Sequence, residues 1–153
     1  MATTVKVEGL KEIEAALKEL PRSTGKSVLR RVLRKRAQPI ADAAQARAPR
    51  DEGQLQASIG VGTKLTKRQR GAHRKMFKND KASVEMFVGA GGLPQAITQE
   101  FGTVDHGPQA FMRPAWEAGK DELLEGLKDD LWTEIEKAAK RHARKTARLA
   151  ARG

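Results

Sequence analysis

Residues 28–49 read VLRRVLRKRAQPIADAAQARAP, and this stretch decides the fold class. Apolar side chains return every three or four positions, at Leu29, Leu33, Ala37, Ile40, Ala44 and Ala48. That is the period of an amphipathic helix. Ser23 or Thr24 offers a cap, so the helix is predicted over residues 24–47. Pro39 removes one backbone donor inside it, and Pro49 ends it. Upstream, Leu10, Ile13, Leu17 and Leu20 form a second stripe and predict a helix over 10–20, closed by Pro21. Before that, TTVKVE at 3–8 alternates as an edge strand does.

Downstream the pattern changes. Residues 50–54 read as a turn, and LQASIGVGTKL at 55–65 as a strand whose two glycines suggest a bulge. Residues 66–81, TKRQRGAHRKMFKNDK, carry no clear period and predict an extended loop or hairpin arm. Residues 82–90 place Val84, Met86 and Val88 on one face of a strand. The Gly/Pro-rich segment 91–110 is loop, with room for one short helix at 94–100. A last helix is expected from Phe111–Pro114, where proline suits the first turn, to about residue 150. Leu124, Leu127, Leu131, Ile135 and Ala138 form its buried stripe, with Trp116 and Trp132 as larger contacts. No repeat and no second domain is evident. The fold class is α+β: a small, mainly antiparallel sheet flanked by two N-terminal helices and a long C-terminal helix. Residues 1–136 make the single domain, with a basic arm at 64–81, and 137–153 form a basic helical extension.

Charge bounds the partners. Thirty Lys and Arg against nineteen Asp and Glu give a net +11 over 153 residues, which favours nucleic acid, an acidic protein or an anionic surface. The cations are clustered, at 22–36, 64–81 and 137–152. In the arm, Lys67, Arg68, Arg70, Arg74, Lys75 and Lys78 are candidate contacts to a phosphate backbone or an acidic subunit. In the extension they are Arg141, Arg144, Lys145 and Arg148. The last helix is acidic over 117–136 and basic after it, which suits the helix dipole, yet the dipole fades beyond the last turn. With 4% aromatic residues, stacking on single-stranded bases is disfavoured, and the hydrophobic core is lean.

Other classes find little support. There is no cysteine, so neither a disulfide framework nor a thiolate metal site can form. His73, His106 and His142 lack metal-ligand spacing, so no metal and no cofactor is expected. The glycines at 89, 91 and 92 follow a strand, but no Lys-Ser/Thr follows them and Pro94 removes a donor. The Asp105–His106 pair alone is thin support for acid–base chemistry, so no enzyme is expected. The first eight residues lack a signal-peptide core and no run is long enough to span a bilayer, so a soluble protein assembled in a cytoplasm is expected.

Three segments together resemble a known family. They are the basic, alanine-rich helix ending in proline at 28–49, RDEGQLQASI at 50–59, and EFGT at 100–103 followed by QAFMRPAWEA at 109–118. In order and spacing these resemble the tail-completion, or head–tail joining, family of long-tailed double-stranded DNA bacteriophages, minor tail components of the neck. Glu52 stands where the family usually has Thr, and Gln109-Ala110 where proline is common. The resemblance implies a non-catalytic structural subunit of the virion neck, a ring or connector element that joins the tail to the DNA-filled head. Its implied partners are copies of itself in a hexamer or a dodecamer, the tail terminator, tube and connector or stopper proteins, and the DNA in the channel. Gly53, Glu100, Phe101, Gly102, Phe111, Arg113, Pro114 and Trp116 carry the motif and are candidate interface residues. Arg113 is expected to pair with Glu100 or a neighbouring carboxylate, and Phe101 and Phe111 to pin the loop. A stand-alone, non-sequence-specific nucleic-acid-binding protein is the alternative, supported by charge alone.

Overall fold

The computed structural model describes residues 9–50, 53–78 and 84–153, so the strand expected at 3–8 lies outside the described residues. These residues form a mainly helical α+β fold with a small antiparallel sheet and a long C-terminal helix.

Helix α1 (Leu10–Glu19) buries Ile13 and ends where Leu20 turns extended before Pro21. Leu10, expected on the buried stripe, stays 42% exposed. Helix α2 (Arg22–Arg47) begins two residues earlier than predicted, with Pro21 as its N-cap and no side-chain cap from Ser23 or Thr24. Proline's fixed φ suits a helix entry, so the chain turns directly off Pro21. α2 runs through Pro39. Its buried positions are Gly25, Val28, Val32, Ala37, Ile40, Ala41 and Ala44, so the stripe in the first half sits one residue before Leu29 and Leu33, which are half-buried.

The segment expected as a strand at 55–65 is mostly something else. Gln54–Ser58 is a helical turn, α3, entered through Gly53 at φ 75°. Leu55 and Ile59 are four apart and both buried, which one turn of helix achieves as well as alternation does. Gln56 locks the turn in place: its Nε2 donates to the carbonyls of Gln45 and Ala48, at 3.1 and 3.4 Å, at the end of α2. Gln45 returns a bond from its Nε2 to the Ile59 carbonyl at 2.9 Å. The side chains thus take up carbonyls that a helix end leaves open. Strand β1 is confined to Gly60–Gly62, and β2 to Phe87–Gly89 within the strand expected at 82–90. They pair antiparallel, Val61 opposite Val88.

Residues 67–76 correct the expectation of an extended arm. Lys67–Met76 is helix α4, started by a capping box: Thr66 Oγ1 accepts from the Gln69 amide at 3.2 Å and Gln69 Oε1 accepts from the Thr66 amide at 2.9 Å. The Thr-x-x-Gln spacing is the signature of that device. No residue of α4 is buried, which is why no apolar period betrays it. Helix α5 (Pro94–Phe101) and helix α6 (Met112–Arg152) stand where expected, α6 being about 60 Å long at 1.5 Å per residue.

α6 and α2 pack along each other and divide the core in two. One cluster holds Ile40, Ala41, Ala44, Ala48, Leu55, Ile59, Phe111 and Ala115. The other holds Ile13, Leu20, Val28, Val32, Leu131, Ile135 and Ala138. Between them Arg36 clamps Asp130 with two bonds, 2.6 Å from Nε and 2.9 Å from Nη2. The guanidinium lies against Gly126, in the space a Cβ would occupy, and a Cβ at Gly119 would stand 2.8 Å from Ile40 Cγ1. Two glycines seven residues apart on α6 therefore let α2 approach closely.

Candidate interaction surfaces

The motif residues converge on the start of α6. α5 ends at Gly102, whose φ of 77° and crowded surroundings admit only glycine: a Cβ would sit 2.8 Å from the Pro108 nitrogen. The loop then folds back on itself, with Thr103 Oγ1 accepting from the amides of Asp105 and His106 and the Gln109 amide donating to the Gln99 carbonyl at 2.7 Å. This return places Glu100 under the first turn of α6. Its carboxylate accepts from the amides of Phe111 at 2.8 Å, Met112 at 3.0 Å and Arg113 at 2.9 Å. The next residue is Pro114, which has no amide to satisfy. Every donor that the N-terminus of α6 leaves open is thereby accounted for, and the negative charge sits at the positive end of the helix dipole. Burial pushes the Glu100 carboxyl up. The three amides, led by Met112, and the Arg113 charge outweigh that, and its pKa lies below the ordinary value.

This corrects the ion pair expected between Arg113 and Glu100: the bond comes from the Arg113 backbone amide, and its side chain is exposed. The two phenylalanines also part ways. Phe111 is 1% exposed and anchors the loop in the core, whereas Phe101 is 66% exposed and lines a surface groove. Trp116 is 47% exposed on α6, one residue after buried Ala115. Gly53 opens α3, whose Leu55 shares the core cluster of Phe111 and Ala115.

Beside Glu100 lies a groove of about 700 Å³ between α4, the 89–93 turn, α5 and the start of α6. Leu93, Ile97, Phe101 and Met112 supply apolar walls, and Lys67, Arg68 and Arg113 line it as cations. Ile97 is half exposed, so an apolar face about one turn of helix wide is open to a partner.

The basic clusters have different fates. Those at 22–36 are partly matched within the fold: Arg31 pairs with Glu134 at 2.7 Å, and Lys35 and Arg36 both reach Asp130. The hydrogen bond from Arg36 holds the Asp130 carboxyl below its usual range, and Asp130 in turn raises Arg36. The acidic half of α6 therefore serves the basic half of α2, a partnership across 94 residues of chain that no local pattern displays. The arm cations Lys67, Arg68, Arg70, Arg74 and Lys75 sit on α4, where Gln69 Nε2 also donates to the Ala90 carbonyl at 3.3 Å, and Lys78 follows α4's end. His73 stacks near Phe77 and edge-on to Phe87, with Glu85 3.8 Å away. Arg141, Arg144, Lys145 and Arg148 lie on the exposed end of α6, which is helical to Arg152. The structure does not bring these two cationic groups into one site. Among the described residues no three His, Asp or Glu side chains gather as a metal site, and no helix is long and apolar enough to cross a membrane.

No curated protein and no solved structure matches the chain. Residues 11–102, from α1 through α5 to the Gly102 turn, match the family described as bacteriophage HK97-gp10-like, whose members are classed as tail components. That span is more than half of the sequence and includes the helix and turn segments and Glu100–Gly102, and on it the chain belongs to the HK97-gp10-like family of bacteriophage tail components.

Proposed function

We propose that this tail component is a non-catalytic structural subunit of the head–tail junction, a tail-completion or neck protein that forms a closed ring, sixfold in the simplest case. The observation that carries the reading is the open groove beside Glu100. A lean fold spends a half-buried carboxylate and Gly102 on fixing α5 against α6, then leaves Ile97 and Phe101 facing outward. Rigid placement of an exposed apolar face is what a subunit interface requires, with large side chains at its centre. Copies meeting head to tail through unlike surfaces close into a ring when the rotation permits. Tail terminator, tube and connector proteins are the further neighbours in this reading, the virion neck is its location, and the host cytoplasm is where it assembles.

The test is complementation. A phage lacking this protein is expected to accumulate DNA-filled heads and separate tails, and purified protein added to the extract is expected to join them. The double variant Ile97→Ser, Phe101→Ser is expected to remain folded and fail to join. Normal particles formed without the protein would remove it from the junction.

A further inference from the structure

Ala138 is the last buried residue of α6. Everything after it up to Arg152 is exposed and helical, a projection of about 21 Å at 1.5 Å per residue whose first turns run beside the start of α2, where Arg141 and Lys145 share a cleft with Pro21, Thr24 and Arg31. It lies beyond the residues that match the tail-component family. Such a segment would be marginal alone, but it grows from a helix already nucleated in the core and is rich in alanine.

Its charges are ordered. At about 100° per residue, Lys137, Arg141, Arg144, Arg148 and Arg152 fall within roughly 80° of one another. Ala139, Ala143, Thr146 and Ala150 occupy the opposite side. No acid lies between 137 and 152. Lys137 reaches Glu134 at 3.7 Å, but among the described residues none of the later cations has a carboxylate within 4.0 Å. The contrast is with Arg31 and Arg36, which the fold neutralises.

The chemistry of this stripe separates the candidate partners. A protein interface needs a desolvated apolar centre, and the cationic face has no large apolar side chain. Nucleic-acid interfaces are polar and strongly positive, and arginine forks match phosphate oxygens in pairs. Single strands are bound by stacking bases on aromatic rings, and no aromatic residue follows Trp132 apart from His142 on the flank. A straight row of cations at fixed spacing suits the regular phosphates of a duplex. We propose that the α6 projection binds the phosphate backbone of double-stranded DNA without reading its sequence. The choice of DNA as the duplex rests on the tail-subunit reading, while the binding itself is measured in solution, apart from particle assembly, so either can fail alone.

The experiment is a salt series of binding to a mixed-sequence DNA duplex by fluorescence anisotropy, using the full chain. Five neutralised phosphates predict a slope of log K against log salt of about −4 to −5. Replacing Arg141, Arg144, Arg148 and Arg152 by Gln keeps good helix formers and is expected to flatten the slope by about 3 to 4 and weaken binding about a thousandfold near 0.1 M salt. Helicity by circular dichroism checks that the projection persists. The matching replacement of Lys67, Arg68, Arg70, Arg74 and Lys75 on α4 is expected to change the slope by less than about one unit. An unchanged slope in the arginine variant overturns the proposal, as does a wild-type chain that does not bind duplex DNA. So does low-salt self-association that depends on the four arginines while DNA affinity does not, which would assign the stripe to the acidic band of a second copy at Glu117, Asp121, Glu125 and Asp129.

Discussion

Replacing Glu100 by Ala removes the acceptor for three amides at once. One of them, that of Phe111, belongs to a residue 1% exposed, so water cannot readily take the carboxylate's place. Loss of a helix cap costs about 0.5–2 kcal/mol, and loss of a negative charge at a helix N-terminus about 0.3–1 kcal/mol more. A total of about 1–3 kcal/mol is expected, or a fall in Tm of roughly 2–12 °C at this chain length. Glu100→Gln keeps one carbonyl acceptor and is expected to lose about half as much. The pH dependence gives a second reading. The folded carboxyl has its pKa lowered, so its contribution is fully present above the unfolded value of about 4.3 and fades as pH falls through the folded value. The gap between wild type and Glu100→Gln should therefore be constant from neutral pH down to about 5 and shrink below about 4. Urea unfolding followed by circular dichroism at several pH values measures both. A Glu100→Ala protein within about 0.5 kcal/mol of wild type, or a gap indifferent to acid, would refute the capping argument.

Three further outcomes follow from the same geometry. Gly102→Ala, at φ 77° with a Cβ pressed on the Pro108 nitrogen, is expected to lose about 2–3 kcal/mol and displace the 103–110 loop, seen as a lower Tm and faster amide exchange at Gln109. Gln69→Ala removes half of the capping box and the bond to Ala90, so α4 is expected to lose its exchange protection while global stability changes by less than about 0.5 kcal/mol, because α4 buries no residue. Truncation after Ala139 is expected to leave Tm within about 2 °C of wild type, since nothing beyond Ala138 is buried; a larger fall in calorimetry would mean that the projection packs on the core.

The long elements were legible because they bury a stripe. α1, α2 and α6 each carry apolar side chains at helical spacing, bounded by Pro21, Pro49 and Pro114, whereas α5 buries no residue and is marked only by Pro94 at its first turn. α3 was misread because Leu55, Ala57 and Ile59 satisfy alternation as well as a single turn, and the decision came from Gly53 and from the Gln45–Gln56 bonds, which are tertiary. α4 leaves no apolar period because it buries no residue, although the Thr66–Gln69 spacing is that of a capping box. At the candidate site, the motif marks Glu100 but not the amides it caps: these lie 11 to 13 residues away, across a loop whose path depends on Gly102. Gly119 and Gly126 carry no signal in the sequence, because the need for a missing side chain arises only where α2 lies against α6.

The most direct measurement is a cryo-electron microscopy reconstruction of the intact phage at its neck. The account predicts density for this chain as a closed ring between connector and tail tube, with the Ile97–Phe101 face against the next copy and the α6 projections turned toward the DNA. Finding the chain absent from the particle, or bound elsewhere as isolated copies with that face open to solvent, would contradict it.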